Sequence, residues 1–135
     1  MQATVQLLDE TLAAAVTDEV HGPVAMPIGR VEALALFASF VRAGGGTTAT
    51  AWVQTSLDGG ESWFDIASFA FTTADAKRMY NLTAAAVTAI ATPGDGALAD
   101  NTAVNGFLGA LFRVKLTTTG TYTGASSFKI YASPK

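Results

Sequence analysis

The chain has 135 residues, of which 50% are apolar and only 14% charged, against about 25% charged in an average soluble domain. Its net charge of -3, without any cluster of Lys or Arg, lacks the electrostatic footprint of nucleic-acid binding. The absence of cysteine excludes disulfide frameworks, thiolate zinc sites and cysteine nucleophiles, and suits a protein made in a reducing cytosol.

The length fits one domain, 1–135, with an ordinary buried core. Residues 1–29 are its least regular part. Thr4 to Leu8, Leu12 to Val16 and Val20 to Met26 are possible strands, interrupted by Gly22, Pro23, Pro27 and Gly29. The alanine-rich Leu12 to Val16 would also suit a short helix, but the chain carries no long apolar stripe of period 3.6, so strand is preferred. Asp9 and Glu10, with no basic stretch before them, do not read as a secretory signal. Val31 to Arg42 alternates strictly, with Leu34, Leu36, Ala38 and Phe40 on one face and Ala35, Phe37, Ser39 and Val41 on the other. This predicts a central strand covered on both sides. The apolar run Val31 to Val41 contains Glu32 and is far shorter than the ~20 residues a membrane helix needs, so no membrane partner is expected.

Gly44-Gly45-Gly46 lacks the Lys-Ser/Thr of a phosphate loop and reads as a flexible hairpin connection. Ala49 to Leu57 is the next strand, with Trp52 on the face opposite Ala51 and Val53. That tryptophan suits either an interface or packing beneath a loop or second sheet. A return strand follows, with Trp63, Asp65, Ala67, Phe69 and Phe71 on one face and Phe64, Ile66, Ser68 and Ala70 on the other. Ala76 to Leu82 is a shorter strand. Residues 91–109 break the rhythm: loops beyond roughly 12–15 residues are uncommon in compact domains and tend to serve a function, so this segment, like Met1 to Gly29, is a candidate contact arm. Phe112 to Leu116 and Phe128 to Ala132 alternate as two closing strands around the Thr/Gly-rich turn Thr118 to Gly124. About seven to nine antiparallel strands result, predicting an all-β, single-domain β-sandwich or jelly roll.

Between the second and third of these long strands lies Ser56-Leu57-Asp58-Gly59-Gly60-Glu61-Ser62-Trp63. Asp-Gly-Gly between apolar strands is a strong hairpin signal, because Gly takes positive φ without a Cβ clash and the Asp carboxylate accepts nearby backbone N–H groups. The spacing of Ser56, Asp58, Gly60 and Trp63 resembles the Asp-box, a turn motif of sialidases and other β-rich proteins. The role expected of these four residues is structural.

Reactive constellations are missing. His21 is the sole histidine and sits beside Gly22-Pro23 with no G-x-S-x-G elbow in the chain, so neither a catalytic triad nor a His-rich metal site is predicted. Asp58, Glu61 and Asp65 are near one another in sequence, but strand alternation separates them and Asp58 is used by its turn. Asp95, Asp100, Asn101 and Asn105 match no calcium-loop spacing. The expectation is a non-enzyme with no cofactor, no catalytic residue and no metal.

Taken together, Val31 to Arg42, Trp52 to Ile66, Ala76 to Tyr80, Phe112 to Leu116 and the closing Phe128 to Ala132 resemble the small β-sandwich virion proteins of tailed bacteriophages, most of all capsid decoration or cement proteins. The resemblance spans most of the chain. It implies a structural protein of the virion, made in the bacterial host cytoplasm, that binds the outer surface of an assembled capsid through the major capsid protein and associates with itself as a small homo-oligomer. The alternatives are a neck or tail component, or a carbohydrate-binding β-sandwich module that stacks sugars on Trp52, Trp63 or Tyr122. The low charge agrees with a surface covered by partners.

Overall fold

In the strands at 33–41, 111–119 and 126–134 every second side chain is buried, as a sheet with one face on a core requires. The computed structural model describes residues 4–87 and 90–135, and the described residues are all-β. Ten strands follow in order: β1 (Val5–Leu12), β2 (Glu19–Ala25), β3 (Ala33–Val41), β4 (Gly44–Gly45), β5 (Thr48–Ser56), β6 (Phe64–Phe71), β7 (Ala76–Thr83), β8 (Leu111–Thr119), β9 (Tyr122–Thr123) and β10 (Ser126–Pro134). They form two four-stranded sheets, β1-β10-β3-β7 and β2-β8-β5-β6, with a small β4-β9 clip, and every pair is antiparallel. The pairs nest: β5 with β6, then β3 with β7, β2 with β8, and β1 with β10. A long hairpin folded over itself in this way is the strand order of a jelly roll.

The core lies between the sheets. From one side come Leu34, Leu36, Phe40, Phe128 and Ile130, and from the other Val53, Phe69, Phe71, Phe112, Val114 and Leu116, all at most 2% exposed. Phe40 stacks on Phe71 across the gap at 5.0 Å between ring centroids, and Phe128 meets both rings edge-on at 5.7 and 5.1 Å. Tyr122 closes this end of the core, its ring 5.5 Å from Phe40 and its hydroxyl donating to the Thr72 carbonyl at 2.6 Å. Gly46 sits against that tyrosine with φ +75°, and a Cβ there would run into the ring. The glycine run is therefore fixed by packing and by the β4-β9 clip.

Three departures from the alternation pattern have physical causes. The strand near the N-terminus is one continuous element, Val5–Leu12, because Leu8 and Leu12 both reach the core on either side of Glu10. Residues 13–18 then connect it to β2, so Leu12 to Val16 is neither the expected strand nor a helix. In β6 the pairing slips by one residue opposite Val53 and Gln54, a β-bulge. The bulge puts Asp65 opposite Gln54 on the outer face, whereas Ala67 and Phe69 pair with the core residues Val53 and Ala51. Asp65 therefore does not share the face of Ala67, Phe69 and Phe71 that strict alternation assigns to it.

Candidate functional site

The two outer faces of the sandwich differ. Over the β2-β8-β5-β6 sheet lies the segment 91–109, held by hydrogen bonds along its length. Asp65, 6% exposed, accepts the backbone N–H groups of Gly96, Ala97 and Leu98 at 2.9, 2.8 and 3.0 Å, and its own N–H donates to the Gly94 carbonyl. Trp52 Nε1 donates to the Leu98 carbonyl at 3.0 Å and Ser68 Oγ to the Ala99 carbonyl at 2.5 Å. Further on, Ala103 bridges Ala67, while the Ser68 and Val104 N–H groups complete an extra rung on the edge of β6. The segment thus covers an edge strand that would otherwise present unpaired backbone groups. Asn101 and Asn105 are part of the same attachment, their Oδ1 atoms accepting the Ala70 and Thr83 N–H groups.

A polar chain runs beneath this cover. Arg113 donates to Gln54 Oε1 at 2.7 Å, and Gln54 Nε2 donates to Asp65 at 2.8 Å and to Asp95 at 2.6 Å. Lys115 closes on Asp95 at 2.6 Å. Partial burial pushes the Asp95 carboxyl up, but the hydrogen bonds from Lys115 and Gln54 and the charges of Lys115 and Arg113 together outweigh it and hold it below the ordinary aspartate value. Where the segment leaves the sheet, Leu57, Phe64, Leu98, Val104 and Phe107 line an apolar cleft of about 500 Å³.

The Asp-Gly-Gly turn sits at the end of the same sheet. Ser56 Oγ donates to Asp58 Oδ1 at 2.8 Å and accepts the Gly60 N–H at 2.8 Å, and Asp58 Oδ1 accepts the Ser62 N–H at 2.8 Å. Gly59 and Gly60 take φ +77° and +101°, which a Cβ would strain. Trp63 Nε1 donates to the Gly60 carbonyl at 3.1 Å, and the Arg113 guanidinium lies 4.6 Å over the indole. Ser56, Asp58, Gly60 and Trp63 are thus joined in one turn network. The backbone N–H of Ser62, with the side chains of Ser56 and Ser62, keeps the Asp58 carboxyl below the ordinary aspartate value.

The aromatics that the sequence suggests as sugar platforms are engaged elsewhere: Trp52 is half-buried under the 91–109 segment, Trp63 carries Arg113 on its ring, and Tyr122 is in the core. A different set is presented on the opposite sheet. Across the outer face of β1-β10-β3-β7, the register aligns Gln6, Tyr131, Phe37 and Met79 in one row. Gln6 Nε2 donates to the Tyr131 hydroxyl at 3.3 Å, the Tyr131 and Phe37 rings lie 6.3 Å apart, and Met79 is 75% exposed. Tyr131, Phe37 and Met79 of this row line a shallow groove of about 710 Å³ that also includes Ala35 and Asn81. These residues stand at the outward positions of alternating strands, but only the pairing of β3 with β7 and β10 brings them side by side. Compared with known proteins, the chain matches no family model, no curated protein and no solved structure.

Proposed function

We propose that the protein is a non-enzymatic structural protein of a tailed-phage virion, binding the outer surface of the assembled capsid as a decoration or cement protein. In this reading it contacts the major capsid protein and further copies of itself. The observation that carries the reading is the uncharged row Gln6–Tyr131–Phe37–Met79 on an open sheet face, in a chain with only 14% charged residues. Exposed apolar surface of this kind marks interaction sites. Jelly rolls recur in viral capsid and lectin domains, an analogy of fold that supports the reading without naming a function. A rigid sandwich repeated on a symmetric lattice also accumulates stability through many modest contacts.

The test is direct. Purified protein should bind mature capsids of the phage concerned and raise their resistance to heat. Met79→Asp, at an exposed position, should abolish binding while changing the protein's own stability by less than about 0.5 kcal/mol. Capsids that ignore the protein, or bind the variant equally well, would refute the proposal. The adjacent Phe37 and Tyr131 rings, 6.3 Å apart and tilted, also favour a second reading, a carbohydrate-binding module with its platform on this sheet. Calorimetric glycan binding lost in Tyr131→Ala would select that reading over the first.

A further inference from the structure

The sandwich has an open side where the edge strands of its two sheets, β1 and β2, come together. Core-facing positions there should be apolar, as the buried Leu8 and Leu12 of β1 are. Glu10 is an exception: it lies between Leu8 and Leu12 on the inward side of β1, opposite the buried Phe128 of β10. On the inward side of β2 are Glu19 and His21, opposite the buried core residues Leu116 and Val114 of β8.

The three side chains converge. His21 Nε2 lies 2.7 Å from Glu19 Oε1 and 3.8 Å from Glu10 Oε2, and one ligand atom from each residue lies within 4.8 Å of the others. All three are shielded, with side-chain exposures of 24% for His21, 30% for Glu10 and 37% for Glu19. Among the described residues no lysine or arginine pairs with either glutamate, so one imidazole faces two carboxylates. This contrasts with Asp95, which has a lysine and an arginine for company.

We propose that Glu10, Glu19 and His21 bind a divalent ion of borderline softness, Zn²⁺ foremost, which clips the two sheet edges together. The donor set suits this class: an imidazole nitrogen is a poor partner for Ca²⁺ or Mg²⁺ and a good one for Zn²⁺, and carboxylate oxygens complete zinc sites readily. Bond lengths of about 2.0–2.2 Å around a tetrahedral ion place ligand atoms roughly 3.3–3.5 Å apart. Small rotations of the two glutamate side chains bring the observed separations to that value. The ion's double positive charge balances the two carboxylates, removing the cost of holding them together at the rim of an apolar core. With three protein ligands, a fourth position is left for water.

Because His21 is the only histidine, its ring signals report on the site without ambiguity. Titrating the full chain with Zn²⁺ while recording the imidazole resonances should shift them and saturate at one ion per chain. Co²⁺ in its place should give the visible d–d absorption of a low-coordinate centre. Zn²⁺ should raise the unfolding temperature of the wild type and leave that of His21→Ala unchanged. Glu10→Gln and Glu19→Gln, which keep the side-chain shape, should each weaken binding by at least about tenfold. Imidazole signals that stay in place as metal is added would reduce the cluster to a hydrogen-bonded imidazole–carboxylate pair and overturn the proposal. Binding of unchanged strength in Glu10→Gln would also overturn it, since the clip requires a ligand from each sheet.

Discussion

Two aspartates show how the same side chain serves different ends. Asp65 is buried and acts as an acceptor for the loop: three backbone N–H groups and one amide side chain converge on its two oxygens. Replacing it by alanine leaves those donors facing a cavity, so Asp65→Ala should lower the unfolding free energy by roughly 2–4 kcal/mol in a urea titration. Hydrogen exchange should quicken at Gly96, Ala97 and Leu98, and a change below about 0.5 kcal/mol would contradict the role given to this carboxylate. Asp58 works at the surface, where its ionised form is favoured by the N–H of Ser62 and the hydroxyls of Ser56 and Ser62. Its folded pKa lies below the unfolded value of about 3.9, so its contribution to stability is present above that pH and is lost as pH falls through the folded value. Asp95 is shifted in the same direction and adds to the same acid-side loss. The melting temperature of Asp58→Asn should therefore lie below that of the wild type near neutral pH, and the gap should narrow below about pH 4. A gap independent of pH would show that the charge of Asp58 has no part in the turn.

Among elements, β3 and β6 belong to different sheets and meet through the stacked rings of Phe40 and Phe71. Phe40 touches Phe71, Tyr122 and Phe128 at once, so Phe40→Ala should cost about 3–5 kcal/mol in chemical denaturation, near the top of the range for a core aromatic. The strands involved are legible in the sequence because their periodicity is strong: Leu34, Leu36, Ala38 and Phe40 mark the buried face of β3 without any help from tertiary structure. The Asp-Gly-Gly hairpin is legible for a different reason, since its backbone demands glycine. Alternation fails at Asp65, where a one-residue bulge reverses the faces, because an inserted residue leaves no trace in residue types. It is also silent about the 91–109 segment, whose small polar residues look unattached until β6 supplies partners. The groove residues Phe37, Met79 and Tyr131 come from three strands distant in sequence, and only the nested pairing makes them neighbours.

At the scale of the molecule, one outer face is upholstered by its own loop and the other is bare. Under the loop Asp95 pairs with Arg113 and Lys115; in the proposed reading the bare face is the side that meets a partner. The nesting also governs how the fold is reached. Apart from the β5-β6 hairpin, each pairing joins strands separated by an increasing length of chain, so refolding from urea should take milliseconds to seconds, as for other sandwiches rich in non-local contacts. The outermost pair has a further effect during synthesis. Ser126–Pro134 inserts between β1 and β3 in the middle of one sheet, leaving β1 no other strand partner in that sheet. A nascent chain in which those residues are still inside the ribosome would have every strand of the β2-β8-β5-β6 sheet but only the β3-β7 pair of the other, so its apolar face would stay open to proteases and to its neighbours on the polysome until β10 emerges.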